Sequence, residues 1–246
     1  MKKIDKLKNQ IIPNKIPNHI AVIMDGNGRW AKSIGASRLY GHKNGVESVR
    51  AIVEASVEIG LKYLTIYAFS TENWSRPDDE VKGLLKLILD SLVNEIDQMS
   101  QNNIIVRFIG SKDNLSAEYQ KKINDECQKS WNNTGLNFCI AMNYGGRQEI
   151  LDAIKNMIPE IAKGAINTEN LNESMIEKHL YTAGIPDPDF MIRTSGEKRM
   201  SNFLLWQSAY TELYFTDIFW PDFKKEAFLE AIIDFQNRNR RFGGIK

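Results

Sequence analysis

Short apolar runs rich in β-branched residues alternate with segments of helical period along almost the whole chain, and this alternation constrains the fold more than any other feature. The runs are His19 to Met24, Tyr63 to Phe69, Ile104 to Ile109 and Leu136 to Met142. A fifth spans Phe190 to Thr194 after the Pro186-Asp-Pro-Asp turn, and a sixth lies around Glu212 to Phe215. Such runs read as short, buried strands. Between them, Val81, Leu84, Leu85, Ile88, Leu92, Ile96 and Met99 fall on one stripe of a helix expected from Asp78 to about Asn102, opened by Pro77-Asp-Asp-Glu80. Val46, Val49, Val53 and Val57 make a similar stripe, and a closing helix is expected from about Lys224 to Arg241. The expected fold is α/β, a single domain with a mainly parallel, roughly six-stranded sheet flanked by helices. Such sheets bind ligands in the crevice beyond the carboxyl ends of their strands.

Composition agrees with one globular unit. The 246 residues are 42% hydrophobic and 26% charged, and no linker, internal repeat or low-complexity segment divides them. Residues 1–16 read as a mobile basic N-terminal tail and 17–246 as the single domain. A net charge of +1 gives no support for a nucleic-acid coat, so basic residues that matter must converge locally in a cleft. Cys127 and Cys139 have neither metal-ligand spacing nor a disulfide framework. The charged start has no apolar segment after it and no stretch is long enough to span a bilayer, so a cytoplasmic protein is expected.

Three polar clusters each follow an expected strand, which places them on one edge of the sheet. The first is Asp25-Gly26-Asn27-Gly28-Arg29-Trp30, with Arg38 and His42 further on. Its glycines let the backbone approach a ligand, Arg29 pairs with phosphate oxygens and Asp25 holds a hard cation; a tight structural turn would use the same residues. The second is Ser70-Thr71-Glu72-Asn73-Trp74-Ser75-Arg76, which reads either as an anion site or as the capping of the helix begun at Pro77. The third, Arg193 to Asn202, clusters Arg193, Lys198, Arg199, Met200 and Ser201 around Gly196. It reads as a second phosphate site or as a solvated basic loop. Glu212 interrupts the aromatic run Tyr210 to Phe215 and needs a partner, either a metal shared with Asp25 or an arginine. His19, His42 and His179 are isolated in sequence, and neither a nucleophile elbow nor a Walker phosphate loop is present.

Met24 to Ala31, Gly41-His-Lys43, Phe69 to Pro77, Asn143-Tyr-Gly-Gly-Arg147, Ile192 to Glu197 and Ser201 to Gln207, occurring in this order, resemble the signatures of the cis-prenyltransferases, the family of the bacterial undecaprenyl diphosphate synthases. The resemblance covers about residues 17 to 244. It implies repeated condensation of isopentenyl diphosphate with an allylic diphosphate, usually farnesyl diphosphate, to a long cis-polyprenyl diphosphate that serves cell-wall assembly. It implies Mg2+ as cofactor, a homodimer, and transient contact with a membrane surface for product release. Asp25 matches the central catalytic and metal position, and Gly26, Asn27, Gly28, Arg29, Arg38 and His42 match the allylic diphosphate cradle. Asn73 matches a position assigned to proton removal, with Ser70, Thr71, Glu72, Trp74 and Arg76 in the same pocket. An amide is too weak a base for that step, so Asn73 reads as an orienting group. Arg193, Arg199 and Ser201 match the isopentenyl diphosphate site, Glu212 resembles a metal ligand donated across the dimer, and Arg241-Phe-Gly243 is similar to a terminal closing element. The Asp78 to Asn102 helix and the strand 63–69 are the expected wall for the growing chain, with Leu85 facing it. The Asp-Asp-x-x-Asp pairs of the trans-prenyltransferases are absent.

Overall fold

The computed structural model describes residues 3–241, and of residues 92–98 and 100 the backbone alone. Six strands form one sheet: β1 (His19–Ile23), β2 (Tyr63–Ser70), β3 (Ile105–Ile109), β4 (Asn137–Tyr144), β5 (Phe190–Arg193) and β6 (Glu212–Phe215). Their order is β3-β4-β2-β1-β5-β6, and every pairing is parallel. The helices are α1 (Lys3–Lys8), α2 (Asn27–Ser33), α3 (Arg38–Ile59), α4 (Asp78–Gln101), α5 (Ala117–Lys129), α6 (Gly146–Ala162), α7 (Glu173–Glu177) and α8 (Lys225–Gln236). The connection after β1 leads to one side of that strand and the connection after β4 to the other. This reversal makes the carboxyl end of β1 the expected ligand position.

Both faces of the sheet are covered, which is why β1 and β5 are apolar almost throughout and wholly buried. On one face Ile20, Val22, Leu64 and Ile66 meet Ile52 and Val53 of α3 and Phe228 and Ile232 of α8. On the other, Ala21, Ile23 and Met191 meet Phe203 and Leu204 from the long β5–β6 connection. Ser37 caps α3 by accepting from the Tyr40 amide at 3.2 Å, and Gly60 ends that helix at φ +76°.

Three expectations change. The buried face of α3 is Gly41, Gly45, Ser48, Ile52, Val53, Ala55 and Ser56, whereas Val57 is exposed. A Cβ on Gly41 would lie 2.1 Å from the Asn27 carbonyl oxygen, so the small residues let α2 and α3 approach closely. The closing helix stops at Gln236, because the polar segment after it turns back toward the sheet: Arg238 pairs with Glu212 and Arg240 with Asp189. Residues 3–16, expected as a tail, hold α1 against α8, with Lys3 paired to Glu226 and Glu230 and Lys8 to Glu58. Among the described residues, no helix is long and apolar enough to cross a membrane.

Candidate active site

The carboxyl ends of β1, β2 and β5 open into one cavity of about 680 Å³. Its polar end holds Asp25, Asn27, His42, Asn73, Arg76, Arg193, Arg199 and Ser201, and its apolar wall is formed by Val46, Val49, Leu84, Leu87, Ile88 and Ile140. Asp25 lies just beyond β1, its backbone carbonyl oxygen fixed by the Thr194 hydroxyl at 2.7 Å and the Trp220 amide at 3.1 Å. Its carboxylate accepts from Arg193 at 2.9 Å and faces Arg29 at 3.2 Å. Gly26, at φ +105°, begins α2, and a Cβ there would lie 2.7 Å from the Ser195 hydroxyl; this turn therefore requires glycine.

The arginines are held in place by carboxylates. Glu80 receives both Arg38 at 3.3 Å and Arg76 at 3.1 Å, and Glu197 receives Arg29 and Arg199. Arg193 is buried, and besides Asp25 it donates to the Ser201 hydroxyl at 2.6 Å and to the Arg199 carbonyl. Burial and the nearby Arg38 charge depress the Arg76 pKa. Burial first, then Arg76 and Arg38, push the His42 imidazole down to about 4. Its Nε2 is buried without a partner, as is Asn27 Oδ1. The end of the cavity thus offers oriented donors and cations in a partly desolvated setting, where an anion gains most.

In the second cluster, Asn73 Oδ1 accepts from the Ser70 amide at 3.1 Å. The amide oxygen is committed to the turn and the NH2 group remains to donate. Glu72 lines the cavity. Trp74 packs beside Phe69 and donates to Asn143 at 2.6 Å, Thr71 donates to Glu72, and Met200 packs against the second core. Trp30 does not reach the cavity; it stacks on Tyr40 and donates to Asp222 at 3.0 Å. Gly28 lies close to Arg38, where a Cβ would come within 3.1 Å of its guanidinium.

Within the single chain Glu212 pairs with Arg238 at 3.1 Å. The register sets Glu212 beside Phe190, while Ile23, two residues before Asp25, lies beside Arg193. Glu212 therefore lies three residue steps, roughly 10 Å along the strands, from the level of Ile23, and Asp25 lies beyond that, so the two carboxylates of one chain do not share an ion. Among the described residues, no three metal-ligating side chains converge. Of the Arg241-Phe-Gly243 element, Phe242 and Gly243 lie outside the described residues, as do the side chains of Leu92 and Ile96. Leu85 turns from the cavity into a core with Phe69 and Met142, and the wall belongs to Leu84, Leu87, Ile88 and Ser91.

Sequence reasoning gave no site role to Glu80, Tyr67, Asn143 and Asn202, although Asn143 and Asn202 lie in segments it singled out. The i,i+4 spacing of Arg76 and Glu80 was a usable signal; the others act through contacts distant in sequence.

Comparison with known proteins agrees with this geometry. Residues 23–243 match the prenyltransferase family of undecaprenyl diphosphate synthases. The chain is 51% identical over 236 residues to an isoprenyl transferase of Clostridium perfringens, covering 96% of this chain and 93% of that one. It is 47% identical to the ditrans,polycis-undecaprenyl-diphosphate synthase ((2E,6E)-farnesyl-diphosphate specific) of Pasteurella multocida, covering 96% and 99%. The crystal structure of lavandulyl diphosphate synthase from Lavandula x intermedia, in complex with dimethylallyl diphosphate, superposes with a TM-score of 0.91 at 36% identity, covering 94% of this chain and 100% of that one. The chain belongs to the undecaprenyl diphosphate synthase family, and it is a prenyltransferase enzyme.

Proposed function

We propose that this enzyme adds isopentenyl diphosphate units in succession to farnesyl diphosphate, with Mg2+, and releases a long cis-polyprenyl diphosphate of the undecaprenyl type. One observation carries the reading: a single cavity is cationic where the strands end and apolar between α3, α4 and the sheet. The diphosphates occupy the first part and the growing chain the second. The first-turn amides of α2, which lack intrahelical acceptors, and the side chains of Arg29, Arg38 and His42 take the allylic diphosphate. Arg193, Arg199 and Ser201 take the isopentenyl diphosphate. The Asn73 NH2 group orients the substrates, and a carboxylate or a diphosphate oxygen accepts the proton.

The residues fit Mg2+. This ion uses one or two carboxylates and takes its remaining ligands from phosphates and water, and the partly exposed Asp25 carboxylate lining the cavity meets that need. When bound, Mg2+ held by Asp25 supplies charge neutralisation to the departing diphosphate. The arginines, already ordered by their carboxylates, stabilise the same developing charge without reorganising.

The protein acts as a homodimer. Leu151, Ile154 and Ile158 follow one face of α6 and are 46%, 49% and 56% exposed, and a second copy covers such a face most simply. The catalytic reading is tested by incubation with farnesyl diphosphate, labelled isopentenyl diphosphate and Mg2+. A solvent-extractable ladder of long products is expected; absence of extractable label, or a single-condensation product, refutes it.

A further inference from the structure

Three segments distant in sequence meet at Asn202. Its Nδ2 donates to Glu72 Oε1 at 2.7 Å, its Oδ1 accepts from the Arg147 amide at 2.9 Å, and its carbonyl oxygen accepts from the Gly146 amide at 2.7 Å. The junction is tight: a Cβ on Gly145 would lie 2.8 Å from Asn202 Nδ2 and 2.5 Å from the Thr71 hydroxyl. Ser201, Asn202 and Leu204 all have positive φ, at 49°, 60° and 45°. Left-handed backbone at three residues of one loop persists only where surrounding contacts over-determine it. The side chain of Asn202 supplies two of those contacts, one to the 71–75 turn and one to the start of α6. The adjacent Ser201 holds Arg193, and Asn73 follows Glu72 directly.

Resting on the prenyltransferase reading of this cavity, we infer that Asn202 is a positioning residue. It ties the loop that bears Arg199 and Ser201 to the turn that bears Glu72 and Asn73, so that the isopentenyl diphosphate loop and the substrate-orienting turn keep one spacing. A donor is needed on this side of the tie because Glu72, when ionised, only accepts. Asn202→Asp keeps the left-handed conformation and the acceptor toward the Arg147 amide, but replaces the donor with a second carboxylate.

The test compares the wild type, Asn202→Asp, Asn202→Gly and the double variant Asn202→Asp with Glu72→Gln. The KM for isopentenyl diphosphate is expected to rise roughly tenfold in both single variants, the factor carried by one charge-assisted hydrogen bond. In the double variant the glutamine NH2 group donates to the new carboxylate, and most of the loss is recovered. A merely structural role would lower the melting temperature and the active fraction while leaving KM in place. A KM within twofold of wild type in both single variants, or a double variant no better than Asn202→Asp, overturns the inference. Hydrogen exchange of residues 70–76 without substrate keeps the tie separate from the activity: a wild type without turnover refutes the function, while faster exchange in Asn202→Asp still supports the tie and unchanged exchange overturns it. Asn202→Gly, free of backbone strain at φ 60°, serves if the Asp variant fails to fold.

Discussion

His42 makes the stability of the free enzyme pH-dependent in a direction fixed by its surroundings. The imidazole sits at the cationic end of the cavity with Nε2 buried and unpartnered, and burial together with Arg76 and Arg38 moves its pKa from 6.5 to about 4. Between those values the unfolded chain binds a proton that the folded chain refuses, so stability is full above pH 6.5 and is lost as the pH falls toward 4. The shift corresponds to roughly 3 kcal/mol when complete, and to about 2 kcal/mol by pH 5. His19, also pushed down to about 4 by burial, contributes in the same window and must be subtracted. Urea unfolding of wild type and His42→Gln from pH 7.5 to 4.5 performs that subtraction, since the substituted amide does not titrate. The stability of the variant relative to wild type should rise by about 2 kcal/mol between pH 7.5 and 5, and saturating inorganic diphosphate, which favours the charged imidazole, should flatten the wild-type profile. Parallel profiles for the two proteins would refute the placement of His42 as a neutral group in an anion site.

Asp25→Ala should abolish product formation in a protein that still folds but with a lower urea midpoint, because it leaves the buried Arg193 guanidinium without its carboxylate; near-normal turnover would contradict its role. Ile88→Trp fills the apolar part of the cavity and should shorten the product ladder, read by thin-layer chromatography; an unchanged ladder would show that the chain runs elsewhere. Ile154→Glu places a charge in the exposed α6 face and should shift sedimentation from dimer to monomer, whereas an unaltered dimer would move the interface off this helix.

The order and type of the elements were legible because the signals are local. Each expected strand agrees with an observed one to within a residue or two at either end, and α4 runs from Asp78 as its caps and stripe require. The three clusters converge because all follow parallel strands. What was illegible depends on pairs of elements. The small-residue face of α3 packs through the absence of side chains at Gly41 and Gly45, which a hydrophobic pattern does not register. Leu84 and Leu85 are apolar neighbours on α4 that both enter the core with Phe69 and Met142, and only the position of the sheet decides that Leu84 also borders the cavity. Glu212 finds its arginine at Arg238, on the far side of a helix. Asn202 joins turns more than fifty positions apart, a relation no spacing rule contains.

The central claim is that diphosphate and chain occupy opposite ends of one cavity. A crystal structure with Mg2+ and farnesyl thiodiphosphate, whose leaving group does not depart readily, tests it most directly. The diphosphate should lie against the first turn of α2 and Arg38, with the farnesyl chain running past Val46 and Val49 toward Ile88. An analogue bound outside this cavity, or with its chain directed away from α3 and α4, would contradict the account.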